Sequence, residues 1–598
     1  MNLNFYNFVV IDGENLLRYF KMLWKSTAVT LSLLSSISSS PIYNKRENST
    51  PTVQIQNGTI TGKYLDGFNQ DAYLGIPFAE PPINELRFQP PQTYNNHWND
   101  TQNFTEYGFA CFASSGLDSR KLPQSEDCLT LNIVKPHNIP QNESLPVGIW
   151  IHGGGFTDGS GTRPAYNTSW IVENSVSIDK PIIAITINYR LNGFGFLSSD
   201  QVSQKGWTNN GLRDQIKAIE WVHENIAGFG GDPNHIVIWG ESAGAISVGK
   251  LLNNDKYLGS YLKGGIMESG SNVFTNILPA STEQNEDDFT KLLQHFQCDQ
   301  AIDYLECLQK IDSKSLQNAF NTTNGILTKG WGFPYIDGDV ITGSGYDVLQ
   351  SGEGFHKVPI LIGTNTDEGS AFVNKTLNTT EQTENYLQKS FPHLSDNSTS
   401  KLIELYNGNN SQLVTPQDPT YNNTPITYPP YLGSTYPRLA TLNGDLMFIA
   451  GSKFTAKLYA ENDLPVFKYR FNIPTLETSN STYLGSTHYQ EVVYVFDNQQ
   501  HPTDGSDGTN VYPSEDASKI SDAISKIWVS FIHDLDPNIS NGDHKDGGNF
   551  QIDVPNWPDY RDGSENYVFD LKGFHIEQDD FRKEQFEYIE SIIHQLDG

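Results

Sequence analysis

The stretch IVIWGESAGAIS, residues 236–247, passes from an apolar, β-branched segment through a glycine and a serine into a run of small and apolar residues. Ile236, Val237 and Ile238 read as the end of a buried strand, and the residues from Ala245 onward as the start of a helix. Gly240 and Gly244 let the backbone turn sharply between the two and let neighbouring elements approach closely, which holds Ser242 out at the carboxyl end of the strand. Ligands of open α/β sheets bind outside the carboxyl ends of strands, so position and residue type both point to a nucleophile. A Gly-x-Ser-x-Gly match arises by chance in a chain with 50 glycines; a strand before it and a helix after it make chance the poorer reading.

The surrounding chain has the layout such a turn requires. Apolar runs at 129–134, 147–152, 182–189, 235–240, 264–269, 358–365 and 465–471 read as buried strands, with helical patterns at 209–229 and 245–254 between them. Strand and helix alternate, which predicts an α/β protein with a central, mostly parallel sheet flanked by helices. Large loop and helical insertions are expected at about 280–330 and 375–445. No linker interrupts the chain from residue 47 to 598, so one catalytic domain is expected there.

A serine hydroxyl attacks only if a base takes its proton, and the base needs an acid to orient it. In an α/β hydrolase the chain order is Ser, acid, His. Among the histidines beyond residue 368, His488 stands out, because GSTHYQEVVYVF places it in a small, polar loop after the strand PVFKYRF. For the acid, LIGTNTDEGSAF puts Asp367 and Glu368 just past a strand, and chemistry alone leaves both open. The tetrahedral intermediate needs donors for its negative oxygen. WIHGGGF supplies them from Gly153, Gly154 and Gly155, whose backbone N–H groups can close on an oxyanion beside that of Ala243.

Composition narrows the partners and the compartment. A formal charge of −31 and a pI near 4.7 would repel phosphate backbones and anionic membranes, so nucleic-acid binding is not expected. From Met22, MLWKSTAVTLSLLSSISSS has the basic start and short apolar run of a secretory signal. Residues 1–46 are therefore expected to be an N-terminal extension containing a signal that starts at Met22, with Lys45-Arg46 as a possible processing pair. No other run reaches the ~20 apolar residues that span a bilayer, so no transmembrane anchor is expected. Fourteen Asn-x-Ser/Thr sequons, from Asn48 to Asn538, suit a secreted protein carrying N-linked glycans. The four cysteines, Cys111, Cys128, Cys298 and Cys307, allow three connectivities, with two local disulfides the plain reading in an oxidising compartment.

Taken together, the motifs YLGIPFAEPP, LRFQPP, SEDCLTLNI, HGGGF, NYRLNGFGFL, NNGLRDQ, GFGGDP, GESAGAISV and DEGSAF resemble the type-B carboxylesterase/lipase family, which includes cholinesterases and secreted fungal lipases, from about residue 52 to 580. The resemblance implies the α/β-hydrolase fold, with Ser242 as nucleophile, His488 as base and Glu368 as acid, which decides between the two carboxylates. It implies Gly154, Gly155 and Ala243 as oxyanion donors and Ser269 as a residue that orients the acid. It also implies buried ion pairs Arg87–Glu126 and Arg190–Asp214, disulfides Cys111–Cys128 and Cys298–Cys307, and no metal or organic cofactor. The activity implied is that of a secreted serine hydrolase acting on small-molecule or lipid esters.

Departures from the family bear on the substrate. Only sixteen residues separate Cys111 from Cys128, where family lipases carry a longer flap, and this favours an esterase with an open gorge. That loop has no tryptophan to hold a quaternary ammonium, which argues against choline esters. Trp331, Phe333 and Tyr335 either line the acyl side or pack the core. A triacylglycerol lipase and a non-catalytic adhesion homologue are the rival readings; the intact set of Ser242, Glu368 and His488 weighs against the latter.

Overall fold

A strand that is apolar at every position can be buried only if both its faces are covered, and the apolar runs of this chain accordingly line up in one large sheet. The computed structural model describes residues 50–596 apart from 115–121, 141–142, 274–278, 280–281, 409, 418–419, 422–423, 426–427, 475–481, 499–514 and 540–551. The expected signal within residues 1–46 lies outside the described residues, as do the sequons at Asn48, Asn142, Asn409, Asn422 and Asn480 and the middle of the loop between Cys111 and Cys128.

In chain order the eleven strands of the sheet are β1 (Lys63–Leu65), β2 (Gln70–Pro77), β3 (Thr130–Pro136), β4 (Leu145–Ile151), β5 (Ile183–Ile187), β6 (Gly231–Glu241), β7 (Leu262–Glu268), β8 (Ile360–Asn365), β9 (Val466–Phe471), β10 (Glu565–Phe569) and β11 (His575–Gln578). Their order in space is β1-β2-β3-β5-β4-β6-β7-β8-β9-β10-β11. Every neighbouring pair from β5 to β10 is parallel, and antiparallel strands close both edges. This is the mostly parallel sheet expected. The edge strands were not expected, for local reasons. In β2 the alternation breaks between Tyr73 and Ile76, where Gly75 has a positive φ and the register to β3 shifts; β11, HIEQ, is short and polar.

Successive residues of the central strands feed two cores. Ile149, Ile151, Ile236 and Ile238 belong to one, and Trp150, Val237 and Trp239 to the other, the alternation that a pleated strand buried on both faces imposes. Helix α1 (Asn210–Asn225) and helix α2 (Ala243–Leu252) contribute to the first core; Ile524, Trp528 and Phe531 of helix α4 (Glu515–Asp534) contribute to the second. The insertion near residue 280 contains helix α3 (Glu283–His295).

Cross-links hold the loops around this frame. Cys111 is bonded to Cys128 and Cys298 to Cys307. Arg190 grips Asp214 through two contacts of 2.8 and 2.7 Å, both side chains buried. Arg87 pairs with Glu126 in the same two-pronged way and also donates to the carbonyls of Gln309 and Ile311, which ties the segment after β2 to the chain just past the second disulfide. Of the described sequons, Asn57 is buried and its amide donates to the carbonyls of Tyr94 and Asn96.

Candidate active site

Strand β6 ends at Glu241 and α2 begins at Ala243, so Ser242 alone makes the turn. It does so at φ 55° and ψ −122°, a conformation that side-chain-bearing residues rarely hold unless their surroundings enforce it. The enforcement comes from both sides. A Cβ on Gly244 would sit 1.9 Å from the carbonyl oxygen of Ile151, and one on Gly240 would sit 2.5 Å from the same atom. The two glycines therefore let helix and strand press against the end of β4. The Ser242 N–H donates to the Glu268 carbonyl of β7 at 2.8 Å, and the side chain is left partly exposed.

The glycine run follows β4 directly. Gly154 and Gly155 have φ of 105° and 61°, and the Gly154 carbonyl accepts the N–H groups of Thr157 and Asp158, closing a tight turn. A Cβ on Gly153 would lie 3.1 Å from the Cβ of Ser242 and 2.7 Å from a carboxylate oxygen of Glu241, so this turn rests on the serine. The N–H groups of Gly154, Gly155 and Ala243 donate to no described residue. Ala243 is also the first residue of α2, where the helix dipole favours negative charge.

Glu368 lies just past β8 and His488 in the loop after β9, and the structure brings them together. His488 Nδ1 donates to Glu368 Oε2 at 2.6 Å. The other carboxylate oxygen of Glu368 accepts from the Ser269 hydroxyl at 2.6 Å and the Asn365 N–H at 2.7 Å. Asn365 and Ser370 bond to Thr487, which ties the two loops to each other. Phe448 and the 44% exposed Phe372 lie against the imidazole, with ring centroids 4.4 and 4.9 Å away.

Two further carboxyl groups surround the histidine, and sequence reasoning missed both. Glu241 Oε1 lies 3.1 Å from His488 Nε2, and Glu491 accepts from Asn365 Nδ2 and Ser269 Oγ. Both sit inside the motifs GESAG and GSTHYQEVVYVF; a lone carboxylate in a sequence, however, reads as a solvated charge. Here burial pushes Glu241 up to about 8 and Glu491 up to about 7. Burial also opposes a charge on His488, but Glu241 and Glu368 outweigh it and carry the imidazole up to about 9. These titrations are coupled: a protonated Glu241 no longer attracts the imidazolium, and the basicity of His488 falls with it. The Ser242 hydroxyl bonds to no described residue.

The neighbouring acid has a different task. Asp367 is buried, and its carboxyl accepts the N–H groups of Gln417 and Ser486, each at 3.1 Å. Gly485, at φ 66°, packs so closely on Asp367 that a Cβ there would overlap the carboxyl. Asp367 thus clamps the loop that delivers His488, and burial raises it to about 7. Trp331 and Tyr335 are buried, Trp331 bonding to the Ser198 carbonyl; of the three aromatics considered for the acyl side, Phe333 remains half-buried, against Phe156. Among the described residues, no group of three or more His, Cys, Asp or Glu is disposed to hold a metal ion.

Comparison with known proteins shows the family. The model of the carboxylesterase family matches residues 49–588. The chain is 35% identical to lipase 5 of Diutina rugosa, covering 86% of this chain and 90% of that one, and 32% identical to secreted lipase 1 of Botryotinia fuckeliana, covering 94% and 96%. Among solved structures it resembles Aspergillus niger EstA with a TM-score of 0.76 and 26% identity, over 92% of this chain and 100% of that one. The fold, the length of the match and these relatives lead to one conclusion: the chain belongs to the carboxylesterase family, has the α/β-hydrolase fold and is a carboxylic ester hydrolase.

Proposed function

We propose that this enzyme is secreted and cleaves its ester through Ser242, His488 and Glu368 by way of an acyl-enzyme. The observation that carries this reading is a strained serine that has a glycine turn against it, with N–H groups unused among the described residues, and whose neighbour Glu241 lies 3.1 Å from the glutamate-bound His488. In the first half-reaction Ser242 Oγ adds to the ester carbonyl carbon while His488 Nε2 takes its proton. The N–H groups of Gly154, Gly155 and Ala243 receive the oxyanion, each worth on the order of 10²- to 10³-fold in rate. The intermediate collapses as His488 returns the proton to the leaving alcohol. Water then repeats the sequence, releasing the acid and restoring the serine. Glu368 holds the imidazole with its proton on Nδ1 and stabilises the cation, and Ser269 and Asn365 orient Glu368.

Release of p-nitrophenol from a short-chain ester tests the reading: Ser242→Ala is expected to abolish it, and unchanged turnover would refute it. A second reading, a triacylglycerol lipase, is favoured by the relatives from Diutina rugosa and Botryotinia fuckeliana, whose names are those of lipases. Rates measured below and above the solubility limit of a triglyceride separate the two, since a steep rise at the limit marks a lipase. Secretion is supported by the signal-like segment from Met22, the two disulfides and the secreted relative, and the N-terminal sequence of protein recovered from culture medium tests it.

A further inference from the structure

His488 is flanked in the chain by two anchored residues. Before it, the Thr487 carbonyl accepts from Asn365 Nδ2 and the Thr487 hydroxyl accepts from Ser370. After it comes Tyr489, which holds φ 74°. A bulky aromatic residue in the left-handed region is an outlier that persists only where its surroundings enforce it, and such residues cluster at functional sites.

The enforcement comes from the segment that follows the glycine turn. The Arg163 guanidinium lies 5.4 Å from the centre of the Tyr489 ring and 5.1 Å from that of Tyr166, within the range of cation–π attraction. The Tyr166 hydroxyl accepts from Arg163 Nη1 at 3.0 Å and from the Tyr489 hydroxyl at 3.3 Å, which closes the three side chains into one unit. That unit has firm support. Ser160 Oγ and the Gly161 N–H both donate to Asn188 Oδ1 at 2.9 Å, and the buried Tyr166 ring packs on Trp150 of β4, the strand that runs into the glycine turn. Asn498, past the helix Val492–Phe496, donates to the carbonyls of Pro164 and Ala165, so the same segment grips the chain beyond the histidine as well.

From this geometry, and resting on His488 as the base, we infer that Arg163 and Tyr489 are positioning residues for the ester cleavage: they clamp the His488 loop to the chain beyond the glycine turn, so that the base and the oxyanion donors share one support. Neither side chain moves a proton. Each acts through the direction it gives the imidazole, and a displacement of about 1 Å at a reacting group costs up to about 10²-fold in rate.

Steady-state hydrolysis of a p-nitrophenyl ester, with kcat and KM read separately, tests the clamp. Tyr489→Gly removes the ring, while glycine adopts a positive φ without strain, so the backbone path is kept and the protein is expected to fold. Its kcat is expected to fall about tenfold or more with KM little changed, and that of Arg163→Met likewise. Tyr489→Phe keeps the ring over Arg163 and is expected to retain most of the activity. Because the two residues act as one unit, the double variant of Arg163→Met and Tyr489→Gly is expected to lose no more than the poorer single variant. His488→Ala separates the clamp from the triad. If His488→Ala is inactive while Tyr489→Gly keeps its kcat, whatever its melting temperature, the clamp is overturned and the triad stands; if His488→Ala turns over at the full rate, both fall. Losses that multiply in the double variant, or Tyr489→Phe as slow as Tyr489→Gly, also overturn the clamp.

Discussion

Glu368 Oε2 lies 2.6 Å from His488 Nδ1, while the same carboxylate is held from behind by Ser269 and by the N–H of Asn365. A proton on Nδ1 leaves Nε2 with a free lone pair, which is what a base needs. An amide at position 368 can present its NH₂ to Nδ1 and favour the wrong tautomer. Glu368→Gln is therefore expected to lower kcat by about 10⁴-fold, the size of such an effect in other triads, with KM and the melting temperature little changed. Steady-state kinetics of the purified variant check this.

The adjacent carboxyl gives the contrasting case. Asp367 acts on the loop of His488 and touches no reacting atom. Asp367→Asn keeps one oxygen for one of the two N–H groups and turns an NH₂ toward the other, at a cost of about 1–3 kcal/mol in stability. Its kcat is expected to stay far above that of Glu368→Gln. The two variants measured side by side decide which acid serves the histidine.

The glycines of the elbow should tolerate nothing larger. Gly244→Ala places a methyl group 1.9 Å from the Ile151 oxygen, and the expected loss exceeds about 4 kcal/mol, the range of exceptional substitutions. Gly343 has open space around it, so Gly343→Ala is expected to change stability by less than about 0.5 kcal/mol. Denaturant titration of the two proteins makes the comparison.

The buried carboxyls also set a pH dependence. Glu241, Glu491 and Asp367 are all raised by burial, to about 8, 7 and 7. The folded state therefore binds more protons than the unfolded chain, and the stability these groups contribute is present at acid pH and is lost as pH rises from the unfolded values of 3.8–4.5 through about 8. Thermal unfolding is expected at a lower temperature at pH 8 than at pH 5. Glu241→Gln, which cannot ionise, is expected to flatten that decline.

Much of this was legible in the sequence because it is local. The central strands announce themselves as unbroken apolar runs, and the elbow and the glycine turn are fixed by residues whose size is their function: Gly240, Gly244, Gly154 and Gly155. His488 stands out in the sequence from its setting between a strand and an aromatic segment, and the structure places it against Glu368; Asp367 and Glu368, two adjacent carboxylates after one strand, look alike until their partners are known. Glu241 and Glu491 escaped because nothing local distinguishes a buried carboxyl from a solvated one. The edge strands escaped because polar or bulged segments such as β11 and β2 carry no clean alternation, and their pairing is decided by residues far away in the chain.

The central claim is that Ser242 is the attacking atom's residue, and covalent labelling with a fluorophosphonate, mapped by peptide mass spectrometry, tests it most directly. The account predicts one adduct per chain, on Ser242, formed in step with the loss of esterase activity and absent from Ser242→Ala. An adduct on another serine that tracks the loss of activity, or full activity in a protein whose Ser242 is labelled, would contradict it.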